Sequence, residues 1–142
     1  MRILIDTNVY ISYLLTHDPD NNIHRTVDVA ISSNHILLLP GELIDELVQT
    51  IRSKPALTKR IDPVRFDRFL AILRLTADVL PPLNRPYPAV SRDSKDDYLL
   101  VHALLAQADV LVTGDRDLLV LDPLGSLRIL SPQAFLDLLD PS

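Results

Sequence analysis

The carboxylates are the side chains whose placement in this sequence can do chemistry. Seventeen of the nineteen acidic residues are Asp, and Glu occurs only at positions 42 and 46. Asp is a poor helix-interior residue that favours caps, turns and ligand positions. Asp6 directly follows the apolar run Ile3-Leu4-Ile5; Asp115 follows Val110-Leu111-Val112 by three residues, with Asp117 two later. Glu46 stands between Leu43 and Leu47, so at about 100° per residue it borders the apolar stripe of a helix and faces partly inward. Asp97 shares a helical face with Leu100, Val101, Leu104, Leu105 and Ala108. A carboxylate on a core-facing stripe is costly unless a metal, a basic partner or a helix-start position compensates it. Each placement also has a plainer structural account. Asp begins turns, and with Ser94 or Asp93 as the N-cap, Asp97 would simply favour the helix dipole. Asp93 and Asp96 can also stand in for Asp97, but Asp96 aligns with the weaker stripe Leu99, Leu100 and Ala103, which favours Asp97.

Were Asp6, Glu46, Asp97 and Asp115 to converge, they could not all remain ionised side by side. Two unit charges about 4 Å apart repel by roughly 4 kcal/mol at an effective dielectric near 20. Either some are protonated or divalent cations sit among them. Oxygen-only donors without His or Cys favour Mg²⁺ or Mn²⁺ over zinc. Such ions lower the pKa of a bound water and stabilise the oxygens of a phosphodiester under attack.

A net charge of −5 argues at first against nucleic acid as a partner. The distribution argues otherwise. Between Arg52 and Arg74 lie seven basic residues, Arg52, Lys54, Lys59, Arg60, Arg65, Arg68 and Arg74, against Asp62 and Asp67. That segment carries +5 and the rest of the chain −10. The bland account is a pair of solvated helix faces; the functional one is a track for phosphates, with Arg52, Lys54, Arg65 and Arg68 as its candidates. The absence of Cys excludes disulfides and thiolate metal sites and suits a reducing, cytoplasmic compartment. No run is long enough for a membrane span, and the N-terminus does not read as a secretory signal.

The elements that must position these acids alternate. Ile3–Ile5, Ile36–Leu39, Val110–Val112 and Leu127–Leu130 read as strands, the apolar ones buried on both faces, with Val79-Leu80 as a brief fifth. Helices are expected after Asp6, from Ile23 to Ile31, after Pro40-Gly41 with a break at Pro55, after the Asp62-Pro63 cap, from about Ser94 to Gln107, and after Ser131-Pro132. Pro81, Pro82, Pro86 and Pro88 make a stiff connection. Length and pattern fit one domain over residues 1–142, a three-layer α/β/α sandwich with a central, mainly parallel sheet.

These residues resemble the PIN-domain family of nucleases, and in particular its VapC-like branch, the toxin components of toxin–antitoxin pairs. The matching pieces are Ile5-Asp6-Thr7-Asn8, Glu46-Leu47, Asp96-Asp97-Tyr98-Leu99-Leu100 and Val112-Thr113-Gly114-Asp115-Arg116-Asp117-Leu118-Leu119. The resemblance implies Mg²⁺- or Mn²⁺-dependent cleavage of single-stranded RNA. It makes Asp6, Glu46, Asp97 and Asp115 the catalytic metal-binding acids, Asp117 a further acid at the metal, and Asn8, Thr113 and Asp96 their support. A cognate antitoxin protein and a homodimer are the partners it suggests. The chain departs from similar sequences at Pro40, where Ser or Thr is frequent.

Other classes fit less well. Receiver domains that phosphorylate an aspartate need paired acids after the first strand and a Lys after the last, but Asp6 precedes Thr7-Asn8 and the three Lys lie at 54, 59 and 95. Haloacid-dehalogenase-like phosphatases need a second Asp where Asn8 stands. A nuclease-inactive RNA-binding module of the same fold would be expected to lack one of the acids, and a structure-specific DNA nuclease would be expected to carry larger clamps. Of the aromatics, Phe66 and Phe69 read as core by their spacing, leaving few candidates, among them Tyr10, Tyr13, Tyr87 and Tyr98, for stacking on bases.

Overall fold

The computed structural model describes residues 1–32, 34–83 and 97–140. Asp93, Ser94, Asp96, Tyr87, Pro86 and Pro88 lie outside these described residues. The element order is β1 (Arg2–Ile5), α1 (Thr7–Leu15), α2 (Asn22–Ile31), β2 (Ile36–Pro40), α3 (Gly41–Ser53), α4 (Pro55–Thr58), α5 (Pro63–Thr76), β3 (Asp78–Leu80), α6 (Asp97–Leu105), β4 (Val110–Val112), α7 (Arg116–Leu119), β5 (Arg128–Leu130) and α8 (Pro132–Leu139).

All four strand pairings are parallel, in the order β3-β2-β1-β4-β5. Parallel neighbours need crossover helices, and helices on the sheet faces explain why the strands read as unbroken apolar runs. Ile3, Leu4, Ile5, Leu38, Leu39, Leu111 and Val112 are fully buried. Helix α8 packs on β4, β5 and α2, while α2 and α3 each lie against β2. The architecture is the expected α/β sandwich with a parallel sheet between helices.

Local chemistry sets most helix boundaries. The side chains of Asn21, Asp62 and Ser131 accept hydrogen bonds from the backbone N–H of Ile23, Val64 and Ala134, and Pro63 and Pro132 occupy first turns where no N–H is needed. Pro55 ends α3 as expected and also begins the short α4. Pro40, at the N-cap of α3, makes no side-chain cap bond. Helix α6 ends in a Schellman motif: Ala108 N–H donates to the Ala103 carbonyl at 2.8 Å and Gln107 N–H to that of Leu104 at 3.2 Å. Gln107 therefore holds φ +55°, a conformation usually left to Gly. The last strand begins one residue later than expected. Leu127 instead exchanges both backbone hydrogen bonds with Leu124 across a tight turn in which Gly125 has φ +61°.

The strand order places a topological switch beside β1. The chain moves from β1 through β2 to β3 on one side, then crosses to β4 on the other. In open α/β sheets, ligands bind outside the carboxyl ends of the strands at such a switch. Asp6 and Thr113 are the residues that leave β1 and β4 there.

Candidate active site

Asp6 is held at the sheet edge by its backbone and by its side chain. Its N–H donates to the Val112 carbonyl at 2.9 Å, continuing the β1–β4 ladder by one residue. Its Oδ2 accepts from the Thr113 hydroxyl at 2.7 Å. Thr113 is fully buried, and its Oγ1 in turn accepts from the Asp115 N–H at 3.0 Å. Asp115 Oδ1 accepts from the Asp117 N–H at 2.9 Å, capping α7. One hydrogen-bonded chain thus runs from Asp6 through Thr113 and Asp115 to Asp117. Asp6 is buried, Asp115 half-buried and Asp117 exposed, so the chain leads outward to solvent.

Burial pushes the Asp6 carboxyl above its ordinary pKa. The Thr113 hydroxyl and the backbone N–H groups of Asn8 and Thr7 counter that, and the Glu46 charge adds to it. Asp6 and Glu46 are therefore close enough to feel one another, although they leave the sequence from a strand end and a helix 40 residues apart.

Glu46 is exposed as a residue, but its Oε2 is engaged twice. The Thr7 hydroxyl donates to it at 3.3 Å and so does the Tyr98 hydroxyl. Burial, together with the Glu46 carboxylate, drives the Tyr98 pKa upward, so the phenol keeps its proton. Asp97, the first described residue of α6, is buried beside Tyr98 in the chain and has interactions of its own. Asn8 is exposed at the start of α1. Asp96 lies outside the described residues.

Among the described residues no group of three or more His, Asp or Glu is arranged so that it could hold a metal ion. The Asp6–Glu46 pair nevertheless fits a particular kind of ion. Mg²⁺ is commonly bound through one or two carboxylates, keeping waters and substrate phosphate oxygens in the rest of its shell. An all-oxygen pair, one member buried and the other open to solvent, suits that mode better than a closed protein cage.

Two residues missed in the sequence form a second link between α3 and α6. His102 Nε2 lies 2.9 Å from Glu42 Oε1, and Glu42 Oε2 accepts from the Leu83 N–H at 3.0 Å. Burial alone would raise the Glu42 pKa, but the Leu83 bond, its own backbone and His102 outweigh it, so the carboxyl lies below its ordinary range. Glu42 and Glu46 are four apart on α3, and His102 and Tyr98 are four apart on α6. The matched spacing was the available signal: it builds two rungs between α3 and α6.

The basic segment does not form one uninterrupted track. Arg65 Nη1 donates to the Leu14 carbonyl at 2.6 Å, which ties α5 to α1. Arg65 and Arg68 border a groove of about 230 Å³ beside Tyr13, Phe69 and Asp62. Arg52 and Arg74 line another of about 680 Å³ between α3 and α5, with Asp45 and Asp67 among them. Lys54 is exposed at the C-cap of α3. Phe66 and Phe69 are core residues, as their spacing predicts. Tyr13 is stacked on Phe69 at 5.0 Å and lies 4.3 Å from the His24 ring.

No curated protein matches the sequence. In structure the chain is similar to one in the crystal structure of VapBC2 from Rickettsia felis bound to a DNA fragment from their promoter. The TM-score is 0.60 at 14% identity, over 91% of this chain and 97% of that one, a likeness of fold. Residues 2–117 match the family model described as PIN domain. That match spans the switch point, both rungs and the acids from Asp6 to Asp117, and the chain belongs to the PIN-domain family.

Proposed function

We propose that this protein is a Mg²⁺- or Mn²⁺-dependent endoribonuclease that cleaves single-stranded RNA, and that it is the toxin of a toxin–antitoxin pair. The observation that carries the reading is the Asp6–Glu46 pair at the switch point, where burial and a neighbouring charge both work against an ionised Asp6. A divalent cation is the economical remedy for such a pair. Asp6 and Glu46 would hold it, with Asp97 and Asp115 as further ligands and Asp117 nearby. When bound, the ion supplies an acidified water and neutralises charge on the phosphate.

The chain's own residues do the rest. Thr113 fixes which Asp6 oxygen is spent on the protein. Asp115 is held through its backbone by the same hydroxyl, so the two acids keep a constant relation. Thr7 and Tyr98 hold Glu46. Arg52, Lys54 and Arg68 attract the phosphates of a flexible strand, with Arg65 partly spent on α1. The fold shared with a chain of the VapBC2 structure supports a cognate antitoxin protein as partner. Family membership supports a homodimer and a cytoplasmic setting. Among the described residues no helix is long and apolar enough to cross a membrane.

The test is incubation of purified protein with single-stranded RNA, single-stranded DNA and structured DNA, with Mn²⁺ or with chelator, alongside Asp6→Asn. The reading expects RNA cleavage that requires metal and disappears in the variant. RNA binding without cleavage would instead mark a non-catalytic module, and cleavage confined to structured DNA would mark a DNA nuclease.

A further inference from the structure

The two rungs between α3 and α6 are unequal in what they touch. The His102–Glu42 rung ends on the Leu83 backbone. The Tyr98–Glu46 rung ends on an acid of the proposed metal pair. Among the described residues, both hydrogen bonds to Glu46 fall on the same oxygen, Oε2, and come from hydroxyls on two different helices, Thr7 of α1 and Tyr98 of α6. A hydroxyl on Oε2 competes with a cation for that oxygen's lone pairs; with two donors there, Oε1 is the oxygen left for a ligand. Glu46 as a residue is exposed to solvent.

We propose that Tyr98 is a positioning residue that, with Thr7, commits Glu46 to one-oxygen coordination and thereby selects a small octahedral cation over Ca²⁺. The proposal rests on the reading of Glu46 as a metal ligand. Its logic is coordination chemistry. Ca²⁺ takes six to eight oxygens and readily accepts a carboxylate through both, whereas Mg²⁺ and ions of similar preference take fewer, at shorter and stricter distances. A carboxylate whose second oxygen is occupied by hydroxyls cannot offer Ca²⁺ the bidentate grip that offsets its poorer fit. Partners that orient a ligand in this way commonly matter by about 10- to 100-fold in metal affinity.

The experiment measures Mn²⁺ and Ca²⁺ dissociation constants of the full chain for wild type, Tyr98→Phe, Thr7→Val and His102→Gln. Mn²⁺ is read from the loss of its free-ion EPR signal, and Ca²⁺ by competition. Phe keeps the buried ring, and Thr7→Val removes the hydroxyl that α1 supplies, so both variants test the same oxygen. Both are expected to weaken Mn²⁺ by about 10-fold or more while Ca²⁺ is retained or strengthened, which narrows the Mn²⁺/Ca²⁺ preference. His102→Gln is expected to leave both constants unchanged, because it alters only the other rung.

An unchanged Mn²⁺ constant in Tyr98→Phe and Thr7→Val overturns the proposal. So does parallel weakening of both ions, or an equal effect of His102→Gln, since loosening of α6 would produce either. Wild-type protein that binds neither ion overturns the metal-dependent reading itself and this proposal with it, a result distinguishable from the preceding ones.

Discussion

Replacing Thr113 with Val removes one hydroxyl from the base of the site and changes little else in shape. The hydroxyl is fully buried and makes two bonds, donating to Asp6 Oδ2 at 2.7 Å and accepting from Asp115 N–H at 3.0 Å. A hydrogen bond to a charged group contributes about 1.5–3 kcal/mol net. The second bond contributes less, because Asp115 is only half-buried and water can replace the missing acceptor. The added methyl returns up to about 0.8 kcal/mol of burial. The expected net loss is about 2 kcal/mol, or roughly 6 °C in Tm for a domain of this size.

The pH dependence separates this account from a generic packing defect. Asp6 has a folded pKa above its unfolded one. Its contribution to stability is therefore fully present below the unfolded pKa and is lost as pH rises through the folded pKa. The Thr113 bond limits that loss by lowering the Asp6 pKa. The gap between wild type and Thr113→Val should consequently be smallest in acid, widen as pH climbs through the raised Asp6 pKa, and level off above the still higher pKa of the variant. Urea unfolding in chelator, repeated across that range, measures it. A gap that is constant with pH, or that closes as pH rises, would refute the idea that this hydroxyl serves the Asp6 charge.

Asp6→Asn should stabilise the metal-free protein at neutral pH, since the amide avoids the cost of a buried charge, and should lose that advantage below the carboxyl's unfolded pKa. Saturating Mn²⁺ should raise the wild-type Tm, a ligand at a hundred times its Kd adding about 2.7 kcal/mol, and should leave the variant's almost unmoved. Reversing Arg52 and Arg68 to Glu should weaken binding of single-stranded RNA and flatten its salt dependence by about 0.7 log unit for each phosphate no longer neutralised, as read by filter binding. Arg65 is unsuited to that test because its guanidinium ties α5 to the Leu14 carbonyl. Gln107→Gly should raise the Tm by a few degrees without changing activity, because a non-glycine residue in the left-handed region costs about 1 kcal/mol or more.

What the sequence by itself determined is what local chemistry can write. Ile3–Ile5, Ile36–Leu39 and Val110–Val112 announce parallel strands because helices cover both faces, although Ile36, at the start of its strand, is exposed. Asp62-Pro63 and Ser131-Pro132 mark helix starts because an oxygen must meet a free N–H one turn on. Phe66 and Phe69 announce the core by their spacing. Asp6 and Asp115 are visible as acids just past strand ends. The short helices α4 and α7, four residues each, escaped because a single turn shows no periodicity.

Tertiary structure alone decided which of these residues meet. That β1 lies beside β4 is what sets Asp6 on Thr113, a pairing of residues 107 apart in sequence. The Tyr98 and Thr7 bonds to Glu46 span 52 and 39 residues, and the diversion of Arg65 to Leu14 spans 51. Charge counting put Arg65 on a phosphate track; packing engages one of its nitrogens between two helices. Strand order and helix docking are settled by burial summed over the whole sheet, and side-chain partners across such distances follow from that sum, so no local pattern encodes them.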